Sequence, residues 1–233
     1  MTAYPNAIKR LPLRNSGGFA PVHICPQSAS HRAYWQAHVR PIVDTLYHHD
    51  VPGRSDAYVR ADVGWSWEQI HSFATAHNRV QLIRAQPDAL SSDCALLMNG
   101  LPIGMMAFVP RFNCRLQARK AARTLIWYVS AAPPEFYWRK RLTQPKGVAL
   151  ALIDLAIQNG IIGGESDGLL LRADPSGGEA LRQFYGIRCQ MAAVSADSGP
   201  ISPLRRWHVG EYFYMSPTAA RIFSCQFDHL RQF

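Results

Sequence analysis

The sequence has no long apolar run. Among its 233 residues, no stretch approaches the roughly 18–20 uninterrupted apolar residues that cross a bilayer as a helix. The opening MTAYPNAIKRLPLRNSGG also lacks the apolar core of a secretory signal. No membrane association is expected, and a cytoplasmic location is. Cysteine is sparse: Cys25, Cys94, Cys114, Cys189 and Cys225 are scattered, odd in number and form no CxxC pair. That excludes a disulfide framework and a zinc site and reads as reduced thiols. Acidic residues are the minority, 16 against 25 Lys and Arg, for a net charge of +9. Such a balance favours an anionic partner, whether a phosphorylated cofactor, a nucleic acid or an acidic substrate. Diffuse solvated charge explains it more simply. Basic residues do cluster at 111–123 and 139–146, without the interleaved aromatics of a single-strand-binding surface.

With 48% hydrophobic and 18% charged residues, the chain reads as globular and not as disordered. Its length suits one large α/β domain with an N-terminal extension. Residues 1–28, rich in Pro, Gly, Ser and Asn, are expected to form an irregular arm, and 29–233 a single domain. A helix over 31–49 is interrupted at Pro41, and VPGRSD at 51–56 makes a turn. Ser66 is a plausible N-cap for a helix over 66–78, where Trp67, Ile70, Phe73 and Ala74 recur at helical spacing. Residues 86–93 are a polar loop broken by Pro87. Two apolar runs, 94–98 and 103–109, flank Asn99-Gly100, a strong hairpin signal. TLIWYVS at 124–130 is β-branched and aromatic, as a strand requires. A helix over 148–158 is apolar nearly all round, hence buried, and stops at Asn159-Gly160. GLLLRA at 168–173 is a short buried strand. SGGE at 176–179 fits a capping box and opens a helix with Leu181, Phe184 and Tyr185 on one face. Residues 190–194 and 211–215 are the last strands, and 221–230 a closing helix.

One segment carries specific chemistry. Gln144-Pro145-Lys146-Gly147-Val148-Ala149 matches Q/R-x-x-G-x-G/A between a strand and a buried helix. A helix N-terminus offers unpaired N–H groups and the positive end of the dipole to a diphosphate. Gly147 and Ala149 are small enough for close backbone approach, Val148 needs only its amide, and Lys146 adds a point charge. Alone, the hexapeptide is a loop that starts a helix. Its context is more specific: strand, Q-x-x-G-x-A, buried helix, GLLL strand, capped helix with Phe184-Tyr185-Gly186, final strands.

That layout resembles the GCN5-related N-acetyltransferase (GNAT) superfamily over roughly residues 94–215. The resemblance implies a mixed, mostly antiparallel sheet flanked by helices, with splayed fourth and fifth strands. It implies acetyl-CoA or another acyl-CoA as cosubstrate, and transfer to a primary amine by direct attack on the thioester. Tyr128, Val129 and Ser130 would supply backbone to the pantetheine arm. Gln144, Lys146, Gly147, Val148 and Ala149 would hold the diphosphate, and Ser176 joins the cofactor set. Tyr185 would be the general acid for the departing thiolate, a role suited to a phenol that stays protonated at neutral pH. A tyrosine four residues after a leucine also serves plain core packing. The base is undetermined: Glu135 is the candidate after the fourth strand, with Asp174 and the histidines, among them His48, His49 and His71, behind it. The chain departs from the family pattern at 131–143, an extra loop with Pro133-Pro134 and Phe136-Tyr137-Trp138 that is a candidate wall of the acceptor pocket. Trp65 and Trp67 are candidates for the same cleft, although helix-start packing explains them as well. Cys94 and Cys189 have no local histidine and are not read as nucleophiles. Acylation of a nucleic-acid-linked amine such as aminoacyl-tRNA, a non-catalytic acyl-CoA-binding module and a basic adaptor stay open as rivals. So does the choice between monomer and homodimer.

Overall fold

The structure is a computed structural model that describes residues 4–48, 59–116, 119–164, 166–194, 198–201 and 211–232. The turn expected at 51–56 and His49 lie outside the described residues. Chain order gives β1 (Arg10–Pro12), β2 (Phe19–Pro21), β3 (His23–Pro26), α1 (Ala29–His38), α2 (Arg40–Leu46), α3 (Trp67–Ile83), β4 (Ser92–Met98), β5 (Leu101–Leu116) and β6 (Arg119–Ala131). Then come α4 (Pro134–Arg139), α5 (Val148–Ile157), β7 (Leu169–Ala173), α6 (Gly178–Gln183), β8 (Ala192–Val194), β9 (Gly199–Pro200), β10 (Glu211–Met215), α7 (Pro217–Cys225) and α8 (Asp228–Arg231). The main sheet runs β3-β4-β5-β6-β7-β10-β8, with β9 beside β5. Among the described residues only β6 and β7 pair in parallel, the rest antiparallel. The parallel pair needs a crossover, and α5 provides it.

Local chemistry explains most boundaries. Ser66 accepts from the Gln69 amide and starts α3 as expected, though α3 runs on to Ile83. Asn99 and Gly100 both take positive φ, the requirement of a two-residue hairpin turn. Pro41 sits in the first turn of α2, where its missing N–H costs nothing, so the expected helix divides into α1 and α2.

Three expectations are corrected. Residues 1–28 are not irregular: β1 and β2 pair with each other, and β3 pairs with β4 at the edge of the main sheet. These strands are three or four residues long, too short for an alternating pattern to register. Asn159-Gly160 does not stop the helix; a wider turn carries it through Ile162. Gly160 is there for close packing, since a Cβ would lie 1.8 Å from Thr124 Oγ1. The SGGE capping box does not form. Asp174 caps a short turn by accepting from the Ser176 amide (3.0 Å) and hydroxyl (2.7 Å), and Gly177 precedes α6 without a side-chain cap.

The core lies between the sheet and α1, α3 and α5, with Phe108, Ile153, Leu155 and Leu171 essentially solvent-free. A smaller cluster of Cys114, Leu125, Leu170 and Tyr212 marks the opposite face of β6 and β7.

Candidate active site

The site originates in a failure of pairing. β6 and β7 are in register only at Thr124↔Leu169, Leu125↔Leu170 and Ile126↔Leu171. Beyond that rung they separate, although β6 runs to Ala131 and β7 to Ala173. The cause lies on the other edge of β6. Against β5 the register jumps from Ala107↔Tyr128 to Phe108↔Ile126, leaving Trp127 as an extra, bulged residue. A bulge bends its strand and increases the local twist, and this one does so at the point where β7 is lost.

The split opens a cleft of about 330 Å³. One wall is residues 127–131 of β6, the other Arg172, Asp174, Leu181 of α6, and Phe184 and Tyr185 of the wider helical turn that continues it, and Ala149 of α5 lies at one end. Arg60, Asp62 and Trp65 form a third side. Asp62 accepts from Arg60 Nε and Nη2, both at 2.7 Å, and from the Ser130 hydroxyl. Arg60 Nη2 also donates to the Ala131 carbonyl at 2.6 Å. Burial pushes the Asp62 carboxyl up, but the Arg60 charge and the Arg60 and Ser130 hydrogen bonds outweigh it and hold it below the usual carboxylate range. With both oxygens engaged, Asp62 is a brace for the end of β6 and a poor proton acceptor.

Of the residues singled out from sequence, Tyr128, Val129, Ser130, Ala149 and Tyr185 meet in this cleft. Tyr185 is buried against the Phe184 and Phe213 rings, and its hydroxyl has no hydrogen-bond partner among the described residues. Burial raises its pKa further above the ordinary phenol value. Gly147 and Val148 stand at the start of α5, next to Ala149. Gly147 has φ +81°, and a Cβ there would meet nothing closer than 4.0 Å. The amides of Val148, Ala149 and Leu150 open the helix and have no carbonyl one turn back to accept from them. Gln144 and Lys146 lie in the preceding segment, which pairs with the N-terminal residues: the Arg14 amide donates to Gln144 O (2.8 Å) and the Lys146 amide to Pro12 O (2.7 Å). The Lys146 amide is therefore committed to the fold. Leu13 and Pro145 face each other in this bridge and are shielded from solvent, whereas the flanking Arg14 and Lys146 are exposed.

Three candidates sit elsewhere. Glu135 does not line the cleft; its Oε2 accepts from the Tyr47 hydroxyl at 2.7 Å. Ser176 is held by Asp174 and does not line it either. The loop at 131–143 folds as α4, with Phe136 and Tyr137 in the core and Trp138 80% exposed, so only its first residue, Ala131, reaches the cleft. Trp65 lines the cleft, edge-on to Tyr128 at 4.9 Å, whereas Trp67 packs in the core against Trp35. His71 is taken up by Asp93 at 2.8 Å. Arg60, Asp62 and Trp127 escaped the sequence reading. Only the bulge at Trp127 reveals that residue, and a bulge leaves no compositional mark.

No protein-family model matches the chain, and no curated protein matches it in sequence. Solved structures do resemble it. RimJ of Mycobacterium smegmatis, solved in complex with CoA-disulfide, superposes with a TM-score of 0.52 at 12% identity, covering 97% of each chain. The chain has the GNAT fold. A GNAT family acetyltransferase from Brucella melitensis, in complex with acetyl-CoA, has a TM-score of 0.39 at 14% identity and covers 85% of this chain and 99% of its own. Apo FdhC, a nucleotide-linked sugar GNAT, gives 0.48 at 9% identity over 97% of this chain and 98% of its own. These two are looser superpositions and carry no weight. The bulge, the split and the open helix start are thus features of a GNAT-fold protein. Among the described residues no group of His, Cys, Asp and Glu is arranged to hold a metal, and no helix is long and apolar enough to cross a membrane.

Proposed function

We propose that this chain transfers an acyl group from an acyl-CoA, acetyl-CoA in the simplest case, to a primary amine by direct attack on the thioester. One observation carries the reading: a single cleft runs from the start of α5, between the separated halves of β6 and β7, to Tyr185. The residues fit such a cosubstrate. The α5 amides of Val148, Ala149 and Leu150, together with the dipole, present positive potential to a diphosphate. Gly147 leaves room beside them. Lys146 and Arg14 flank the Leu13–Pro145 bridge, both exposed, and neither side chain has an ion-pair partner among the described residues. The edge of β6 at 127–130 that faces away from β5 has no strand partner among the described residues, and it offers hydrogen bonds to an extended amide-containing arm, as one strand offers another. Tyr185 holds its proton until a thiolate leaves and then donates it. Burial keeps the phenol protonated throughout the neutral range, so the proton is in place when the thiolate forms.

Calorimetric titration with acetyl-CoA tests the reading. Gly147 is a poor position for a blocking side chain, since its positive φ strains any replacement. Ala149→Glu is better: a carboxylate in the first turn of a helix favours the helix, yet it opposes a diphosphate. Wild-type binding that weakens by at least about tenfold (~1.4 kcal/mol) in a variant of unchanged Tm supports the site. A folded wild type that binds no acetyl-CoA overturns the proposal.

A further inference from the structure

We infer that the acceptor is a basic aliphatic primary amine that arrives as its ammonium ion, and that Asp174 is the residue that holds its nitrogen. The inference rests on the acyltransferase reading and concerns the same cleft. Among the described residues two carboxylates line that cleft, Asp62 and Asp174. They differ in what their partners leave open. Asp62 has both oxygens engaged, by Arg60 and by Ser130. Asp174 follows β7 directly, and Pro175 opens a short turn whose Ser176 amide needs a capping acceptor. The cap occupies one oxygen: the Ser176 amide (3.0 Å) and hydroxyl (2.7 Å) both donate to Oδ1. Oδ2 accepts no hydrogen bond among the described residues, and Asp174 is only half-buried. A charged oxygen is thus left over in the wall of the cleft.

The rest of the cleft suits a cation on that oxygen. Trp65, Trp127, Tyr128, Phe184 and Tyr185 all line it, and Trp65 stands edge-on to Tyr128 at 4.9 Å. Aromatic faces attract an ammonium ion through their quadrupole. The two lining arginines are both engaged, Arg60 by Asp62 and Arg172 by a partner of its own. Burial raises the pKa of Tyr128 and of Tyr185, and the Asp174 charge adds to the rise at both, which sets the carboxylate close to the two phenols. An ammonium on Oδ2 would therefore stand beside the proposed acid for the leaving thiolate. The cleft then sorts its two ligands by charge. The anionic diphosphate goes to the α5 amides, and the cationic nitrogen goes to Asp174. Acceptors whose nitrogen stays neutral in water, such as aryl amines, lose that attraction.

CoA thioethers test this without a known acceptor. S-(2-aminoethyl)-CoA carries a primary ammonium close to its sulfur, where an attacking nitrogen would stand, and S-propyl-CoA is its uncharged counterpart. In calorimetric titrations at neutral pH, wild type is expected to bind the ammonium compound at least about tenfold more tightly, the size of one charge-assisted hydrogen bond. Asp174→Asn keeps the Oδ1 acceptor and with it the turn, so it should erase this preference while the Kd for S-propyl-CoA stays within about twofold. Ser176→Ala removes a donor to Oδ1 and leaves Oδ2 untouched, so it should retain the preference. Equal affinity for the two compounds in wild type overturns the inference, as does a preference that survives in Asp174→Asn. A preference lost equally in Ser176→Ala also overturns it, because the turn and not the carboxylate would then be responsible. If neither S-propyl-CoA nor acetyl-CoA binds, the acyltransferase reading falls, and this inference with it.

Discussion

The same two strands behave in opposite ways over their two halves. In the closed half, Thr124, Leu125 and Ile126 of β6 pair with Leu169, Leu170 and Leu171 of β7, and all six are almost free of solvent. In the open half, Tyr128 and Val129 are only half-buried, and no strand among the described residues faces them across the gap. Both halves are apolar, leucine-rich in the closed half and aromatic or β-branched at Trp127, Tyr128 and Val129 in the open one, so hydrophobicity alone does not dictate the split. The difference is what the flanking elements do. Behind the closed half, Gly160 packs onto Thr124 so tightly that only a glycine fits. Around the open half, Arg60 and Asp62 hold the Ala131 carbonyl and the Ser130 hydroxyl on one side, and the helical turn that follows α6 places Tyr185 on the other. A sheet can thus be opened without losing its core, provided that other groups satisfy the strand end and a bulge directs the bend.

Breaking the brace should have the largest effect. Asp62→Ala leaves the part-buried Arg60 guanidinium without its carboxylate, a change that costs about 3 kcal/mol, the lower end for a broken buried pair, or a Tm fall on the order of 10 °C. The pH dependence sharpens the test. The folded-state pKa of Asp62 lies below its ordinary value, so its stabilisation is present above about pH 4 and is lost as pH falls through the folded pKa. Thermal melts should show wild type losing an acid-side increment that Asp62→Ala lacks. Next, Tyr185→Phe should lower kcat by about 100-fold, the lower end for a lost general acid, with the acetyl-CoA Kd unchanged. A kcat within threefold of wild type would leave Tyr185 as core packing and favour a non-catalytic acyl-CoA-binding module. Gly160→Ala should touch only the closed half. The forced overlap with Thr124 costs about 1–3 kcal/mol, read as a lower Tm, while the KM for acyl-CoA stays put. A change in KM without a change in Tm would show that the halves are not separable.

How much of this was legible follows the same division. The closed half was readable because burial on both faces leaves continuous apolar runs, LLL at 169–171 and the all-round apolar α5. Asn99-Gly100 and Ser66 were readable because turn and cap chemistry is local. Tyr128, Val129, Ser130, Ala149 and Tyr185 followed from the resemblance of the element order to the GNAT layout, and they line one cleft. What escaped depends on distant partners. β3 is a strand because β4 lies beside it, more than sixty residues on. Arg60 and Asp62 carry no motif, and their role exists only where β6 ends. Ser176 and Asp174 compete for one turn, and Pro175 in its first positions settles it for Asp174. Glu135 was placed by its position after β6, but α4 turns it to Tyr47.

The smallest effect belongs to the rear of the closed half, where α5, α7 and α8 converge on a buried carboxylate. Asp154 is solvent-free. It accepts from Ser224 Oγ at 2.5 Å and from Arg231 Nη2 at 2.7 Å, while Gln158 donates to the same Ser224 hydroxyl at 2.7 Å. Burial nevertheless outweighs these partners and raises its pKa to about 6. The sign follows from that direction. A carboxyl with a folded pKa above its unfolded value of about 3.9 binds more protons when folded. Its contribution is complete below the unfolded pKa and declines as pH rises through 6. Wild-type Tm should therefore fall by a few degrees between pH 5 and pH 7 relative to Asp154→Asn, whose side chain cannot titrate. The kinetic constants of the open half should not follow it. Parallel slopes for the two proteins would show that Arg231 keeps Asp154 ionised throughout. The C-terminal helix would then be clasped to α5 by a permanent ion pair and not by a shared proton.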